Sequence, residues 1–380
     1  MKIGILAYRQ YPYISANTSI AYTIGQYIKE NTEHQVVYIG RLQDETQRAV
    51  SEYEGIPVCF FNNKPLKYYS RFTNYTRKMF GDGTCYSREA TRLKKIVAEE
   101  KIDALICIIA PSDNLYIVNK AKLDIPVVLY QLDPFFSVND IVNEKLKKSL
   151  VHIIAKDNII HFFTTDLLYK EYYHYDEFKP FLDKISVLQF PKLKYHYTDR
   201  TLDFNKKTKM LYAGSLYSGI RSPQILIELS KGLPEHTEIV FCGGCDNPSD
   251  IKKLKDNGII CKGYLSQTEL EKEYNEADVL INIGNLVKNQ LGSKLIDYIS
   301  TGKPIVNIYQ IEMCPTLSVL EKYNLCISLC SGDLNGNSAK TKLHDFLSGI
   351  KGQIIPFDEI QKTYVEYTPE YVCNSILDIL

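Results

Sequence analysis

The 380-residue sequence carries no excess of charge of either sign: 45 Lys and Arg stand against 45 Asp and Glu. That balance withholds the electrostatic footprint of a nucleic-acid binder. No apolar run reaches the ~18 residues of a membrane-spanning helix. The start, "MKIGILAYRQ", turns polar too soon for a secretory leader and reads as a first buried strand. The ten cysteines lack the spacing of a disulfide framework, which suits a reducing cytosol. No GxGxxG follows the first strand, where a nicotinamide dinucleotide site of the usual kind would carry one. Internal repeats and low-complexity segments are missing too.

What is present is a normal globular composition, 45% hydrophobic and 24% charged, in a chain long enough for two large domains. One stretch is locally unbalanced. Residues 64–95 hold nine Lys or Arg against Asp82 and Glu89, interleaved with Tyr68, Tyr69, Phe72, Tyr75, Phe80 and Tyr86. Such a surface could rest on anionic lipid, as a peripheral contact at the inner face of a membrane. A solvated helix face explains the same residues.

Short apolar runs alternate with amphipathic segments. Strands are expected at 3–7, 35–39, 57–60, 104–109, 126–130, 159–163 and 185–188, with helices at 19–29, 88–99 and 138–155. Polar residues 191–209 read as a linker. The pattern then restarts, with strands at 210–213, 238–241, 258–261, 278–283, 304–308 and 325–328. Helices fit between them at 223–231, 249–257, 268–275, 293–300 and 339–349. Strands apolar throughout, separated by helices, mean parallel sheets covered on both faces. The fold class is therefore α/β, with two doubly wound Rossmann-like domains facing a cleft. The domains are expected at 1–195 and 196–367, and helix 368–380 is expected to pack back on the first. Ligands of such sheets sit beyond the carboxyl ends of the strands.

Three segments could carry chemistry there. "MLYAGSLYSGIRSP" ends a strand at Gly214 and places Ser215 and Arg221 before a proline-led helix start, where an arginine can clamp a diphosphate. "NQLGSKLIDYISTGKP" offers Ser293 as an N-cap, leaving first-turn amides such as that of Leu295 free beside Lys294. Asp297 lies on the same face and could accept two hydrogen bonds from a sugar diol. A capped helix with a solvated Lys–Asp pair accounts equally for those residues. In "CGGC", Gly243 and Gly244 would let the backbone approach a nucleotide. A zinc or redox reading of the same four residues lacks a second close cysteine pair and the thioredoxin context.

In the first half, Asn17, Thr18 or Ser19 could cap the helix after the first strand, with Asn17 and Thr18 as acceptor-side candidates. Asp133, in "LYQLDPFF", ends a strand as the best catalytic candidate on the acceptor side, or simply caps a turn before Pro134. His161 and Asp166 bracket another strand, and His161 suits a structural role.

Residues 208–310 resemble the donor-binding domain of GT-B glycosyltransferases, in particular retaining family 4. "YAGSLYSGIRSP" is similar to the family's diphosphate-binding loop, and "NQLGSKLIDYISTGKPIV" to its Glu-x7-Glu element leading to GxP. "VFCGG" and "GYLSQTELEKEYNEADVLIN" match its middle strands and helix. The resemblance implies that Arg221 and Lys294 contact the donor diphosphate. It also implies that Asp297 stands where a Glu binds the ribose, and Asn289 where the first Glu meets the transferred sugar. Ser215 takes the place of a basic residue. The implied activity is a retaining glycosyltransferase with no metal or other cofactor. Its partners would be a nucleotide-diphosphate sugar and a glycan or lipid-linked acceptor, in surface polysaccharide or glycoconjugate synthesis. A nucleotide-sugar 2-epimerase of the same layout and a non-catalytic nucleotide-sugar-binding subunit are the alternatives, the latter favoured by Asn289.

Overall fold

The computed structural model describes residues 1–12, 15–62, 86–109, 112–196, 207–350 and 352–380. The chain divides into two compact units, one of residues 1–192 with 366–380 and one of 193–365. Most of the basic, aromatic stretch 64–95 and most of the linker 191–209 lie outside the described residues.

The first unit is built on an eight-stranded sheet. In chain order its strands are β1 (Lys2–Leu6), β2 (Gln35–Gly40), β3 (Glu52–Tyr53), β4 (Ile56–Phe60), β5 (Ala104–Ile108) and β6 (Val127–Gln131). After a separate hairpin of β7 (Ser137–Val138) and β8 (Ile141–Val142) come β9 (Ile159–Thr164) and β10 (Ile185–Val187). The spatial order is β10-β9-β6-β5-β1-β2-β4-β3, parallel except for the β3–β4 pair. Strands β5 and β6 are buried at every position. That is why they read as unbroken apolar runs: helices cover both faces of the sheet. The C-terminal helix Pro369–Leu377 packs on helix Ala16–Asn31, with Cys373 fully buried against it.

Two local expectations are corrected in this unit. The helix expected over 138–155 spans only Glu144–Ile154. Ahead of it the chain makes the tight β7–β8 hairpin, whose turn holds Asn139 and Asp140 at φ of 50° and 66°. Asn and Asp tolerate this left-handed region, so the dipeptide dictates a hairpin where periodicity suggested helix. The helix after β1 is capped by Ser15, whose hydroxyl accepts from the Thr18 amide; Asn17, Thr18 and Ser19 already lie inside it.

The second unit holds β11 (Thr208–Ala213), β12 (Thr237–Cys242), β13 (Ile260–Gly263), β14 (Val279–Ile283), β15 (Ile305–Tyr309) and β16 (Cys326–Cys330). Thr208 and Lys209, expected in the linker, open β11. The order β13-β12-β11-β14-β15-β16 is fully parallel, with the direction of winding reversing between β11 and β14. A polar ladder, buried at Asn282 and Asn307 and ending at exposed Ser328, crosses the second half. Asn282 donates to Asn307 at 2.8 Å, and Asn307 donates to Ser328 at 3.0 Å. These three residues are direct partners in the strand pairing, so a one-residue slip would strand buried amides without partners.

Helix Gln267–Glu276 is fixed to the sheet by ions. Glu273 is buried and pairs with Lys262 and, at 2.9 Å, with Lys209 of β11. Burial alone would push the Glu273 carboxyl up, but hydrogen bonds from the two lysines outweigh it and hold the group below its ordinary 4.5. With the folded value below the unfolded one, ionised Glu273 stabilises the fold above pH 4.5, and that contribution is lost as pH falls through the folded value. The thermal midpoint of the full chain should therefore decline on acidification below about pH 5, and Glu273→Gln should decline less steeply. Superimposable acid profiles would contradict this assignment.

Candidate functional site

Winding reversal opens a crevice at the carboxyl ends of β11 and β14, because their connections leave toward opposite faces of the sheet. The two strands pair only through Met210–Val279 and Leu211–Leu280. Beyond that point Ala213 has lost its β14 neighbour. Tyr298, on helix Lys294–Ser300, takes the neighbour's place: its hydroxyl accepts from the Ala213 amide at 2.9 Å and donates to the Ala213 carbonyl at 3.0 Å. One phenol thus satisfies both backbone groups of a buried strand end. It also fastens the helix bearing Lys294 and Asp297 to the strand that leads into the Arg221 loop.

That loop is braced on its far side. The Leu216 amide donates to Gly244 O at 2.9 Å, and Ser218 donates to the Asp246 carboxylate through its amide and its hydroxyl. Tyr217 and Arg221 close a tight turn by exchanging backbone hydrogen bonds of 3.1 and 2.7 Å. The half-buried Arg221 guanidinium lies beside Tyr212, whose phenol burial raises and Arg221 pulls the other way. No carboxylate among the described residues pairs with Arg221, and its Nε is buried without a partner. Ser215 Oγ stands 3.3 Å from the hydroxyl of Tyr264.

On the other side, Lys294 Nζ is 3.4 Å from Asp297 and 3.4 Å from the Tyr274 hydroxyl. Tyr274 meets Tyr298 edge-on at 6.0 Å and His196 edge-on at 5.8 Å, making an aromatic wall. Burial holds His196 below its ordinary value, with Lys194 adding to the effect, so the ring is neutral near pH 7. Asp297 and Asn289 are both well covered, at 6% and 5% exposure.

The cap expected at Ser293 is absent. Ser293 has helical angles of −59° and −24°, and its hydroxyl makes no capping bond, since capping needs an extended residue. The Leu295 amide donates to Gly292 O at 3.1 Å and that of Ile296 to Ser293 O at 3.2 Å. These amides are already engaged, and the Leu295 side chain is fully buried, so an anion here would meet side-chain cations rather than a free helix end.

The two glycines of "CGGC" are also explained by this chain's own atoms. Gly243 adopts φ +151°, and a Cβ there would lie 2.1 Å from Gly214 O. A Cβ on Gly244 would meet the Tyr264 ring at 2.7 Å. Burial pushes the Cys242 and Cys245 thiols up to about 11, opposite to the low values of redox-active pairs.

In the first unit, Asn17 and Asp133 are brought together: Asn17 Nδ2 donates to Asp133 Oδ2 at 2.9 Å at the carboxyl edge of the sheet. Thr18 is fully buried and donates to Arg9 O at 3.0 Å, so it serves the fold. His161 lies inside β9 against Phe163, and Asp166 opens helix Asp166–Tyr173 while accepting from Gln189 at 2.8 Å.

Sequence reasoning missed Lys303, the lysine of "TGKP". It is 3% exposed and donates to three carbonyls at the end of helix Gln267–Glu276: Tyr274 at 2.7 Å, Asn275 at 2.8 Å and Ala277 at 2.6 Å. It thereby holds the backbone of Tyr274. Gly302 before it turns at φ +71°, where a Cβ would lie 2.2 Å from Ile355 O.

No protein-family model and no curated protein matches the chain by sequence. Solved structures do resemble it. Sucrose-phosphate synthase from Thermosynechococcus elongatus is 11% identical, with a TM-score of 0.69 over 100% of this chain and 98% of that one. A glycosyltransferase from Rickettsia africae ESF-5 is 12% identical, with a TM-score of 0.62 over 100% and 97%. An S. aureus MnaA–UDP co-structure is 11% identical, with a TM-score of 0.61 over 99% and 94%. The chain has the GT-B fold, with two parallel-sheet domains of eight and six strands.

Lys303→Met removes all three donors from buried helix-end carbonyls. It should lower the unfolding free energy by at least about 2 kcal/mol, read from urea unfolding. An unchanged midpoint would show that those carbonyls find other partners.

Proposed function

We propose that the chain is a glycosyltransferase that takes its sugar from a nucleoside-diphosphate donor bound at the β11–β14 crevice. The observation that carries this reading is the pair Arg221 and Lys294. They stand in the loop after β11 and on the helix after β14, which the Tyr298–Ala213 bonds hold to β11, and Arg221 has no carboxylate to neutralise it among the described residues. Two phosphates of one donor suit two such cations.

In the reaction the bond from the sugar's anomeric carbon to the β-phosphate oxygen breaks, and negative charge grows on the departing diphosphate. Fixed cations stabilise that charge without reorganising. An acceptor hydroxyl forms the new bond on the same face, and its proton passes to the leaving phosphate; the anomeric configuration is retained. Arg221 and Lys294 supply the positive charge, so no metal ion is required in this scheme. Asp297 accepts from the ribose diol and Asn289 faces the sugar. Asn17 and Asp133, paired within the first unit, are the acceptor-binding candidates. The acceptor is a saccharide or lipid-linked glycan in surface glycoconjugate synthesis at the cytosolic face of a membrane, approached through residues 64–95. No helix among the described residues is long and apolar enough to cross a membrane. The resemblance of the fold to a glycosyltransferase and to a UDP-bound protein supports this reading.

A second reading rests on Asn289. A buried amide, where the resembling family has a carboxylate, favours a subunit that binds a nucleotide sugar without turning it over. One assay separates them: purified protein is given a panel of nucleotide sugars, and nucleoside diphosphate release is followed with and without glycan acceptors. Acceptor-dependent release supports transfer. Binding without turnover supports the second reading, and hydrogen exchange at the sugar's C2 would instead mark an epimerase.

Arg221→Ala, and Lys294→Gln, which keeps a donor for Asp297, should each weaken nucleoside-diphosphate binding about tenfold or more by calorimetry. Thermal unfolding should barely move. Unchanged affinity in both variants would remove the diphosphate assignment.

A further inference from the structure

Gln310, the residue after β15, is half-buried, and its side chain spans three strand ends. Its Nε2 donates to Ile220 O at 2.7 Å and to Gly284 O at 2.5 Å. Ile220 immediately precedes Arg221 in the loop after β11, and Gly284 starts the loop after β14 that runs to Lys294. Strand β15 is separated from β11 by β14, so the amide reaches across the mouth of the crevice.

Both of its acceptors have reason to be fixed. Gly284 donates its own amide to Ile308 O at 2.9 Å, and a Cβ there would lie 2.4 Å from Cys314 Sγ, so the loop is packed against Cys314 at this point. The Arg221 loop is held on its far side by the two Ser218–Asp246 bonds. On the near side Gln310 reaches the carbonyl next to Arg221. The Tyr217–Arg221 backbone bonds close the loop on itself, and Gln310 ties that closed turn to the end of the neighbouring strand. An amide suits the task chemically. It offers two donor protons from one neutral nitrogen, where a carboxylate offers none and a lysine would add a charge beside the anion site.

We propose that Gln310 is a positioning residue. It ties the Arg221 loop to the loop leading to Lys294, so that both cations meet the phosphates of one diphosphate. This rests on the nucleoside-diphosphate reading of the crevice, and it adds a second tie, between the loops, to the one that Tyr298 makes between strand and helix. Gln310 itself touches neither phosphate in this scheme.

The test is calorimetry on the full chain with UDP, GDP and ADP, and with UMP, GMP and AMP as comparators. Gln310→Leu keeps the bulk and removes both donors. It should weaken the diphosphate that the native protein binds by about tenfold, and the matching monophosphate by about twofold or less. In an Arg221→Ala background the same change should cost less than about twofold, because there is no longer an arginine to position. A purely structural role would instead weaken both nucleotides alike and multiply with Arg221→Ala, and either result overturns the proposal. If Gln310→Leu does not fold, Gln310→Met, which is neutral and of similar length, carries the same comparisons. Normal diphosphate binding by a Gln310 variant, with Arg221→Ala weakened, overturns the proposal alone. If the native protein binds none of the three diphosphates, or Arg221→Ala binds them normally, the diphosphate reading fails and the proposal falls with it.

Discussion

The second unit depends on how it closes the gap at its winding reversal. Two strands that part company leave backbone amides and carbonyls facing each other across empty space, and such groups are costly when buried. Tyr298 settles this with one hydroxyl that meets both polar groups of Ala213. The crevice is held open because a side chain, rather than the next stretch of β14, completes the strand. The same bonds set the distance between the strand leading to Arg221 and the helix that carries Lys294.

The surrounding charges divide into two kinds. Lys209, Lys262 and Lys303 are consumed by the fold, with carboxylates or helix-end carbonyls close about each. They fix helix Gln267–Glu276 and with it Tyr274, the wall against which Lys294 lies. Arg221 and Lys294 are held differently. Arg221 has no carboxylate partner among the described residues, and Lys294 shares its charge with Asp297 at 3.4 Å. In the proposed scheme stability and binding draw on separate sets of cations, so binding variants and stability variants are expected to fall on different residues.

Much of the layout was legible because parallel strands buried on both faces must be apolar throughout: Leu105–Ile108 and Leu280–Ile283 announce themselves. The placement of Arg221 and Lys294 was legible too, since each follows a strand-end glycine loop. Local chemistry misled where neighbours decide the conformation. Ser293 has the right residue type for a cap, but the chain is already helical there. Gly243 and Gly244 looked like space for a ligand and are filled by Gly214 and Tyr264. The contacts that shape the crevice were invisible for a simpler reason. Tyr298 meets Ala213 across 85 positions and Gln310 meets Ile220 across 90, and nothing in either local sequence marks the partner.

The account stands most directly on where a diphosphate sits. A crystal structure of the chain soaked with a non-hydrolysable nucleotide-sugar analogue would locate it. The expected result is both phosphates within hydrogen-bonding distance of Arg221 and Lys294, with the ribose at Asp297. Phosphates bound elsewhere, with those two side chains untouched, would contradict the account.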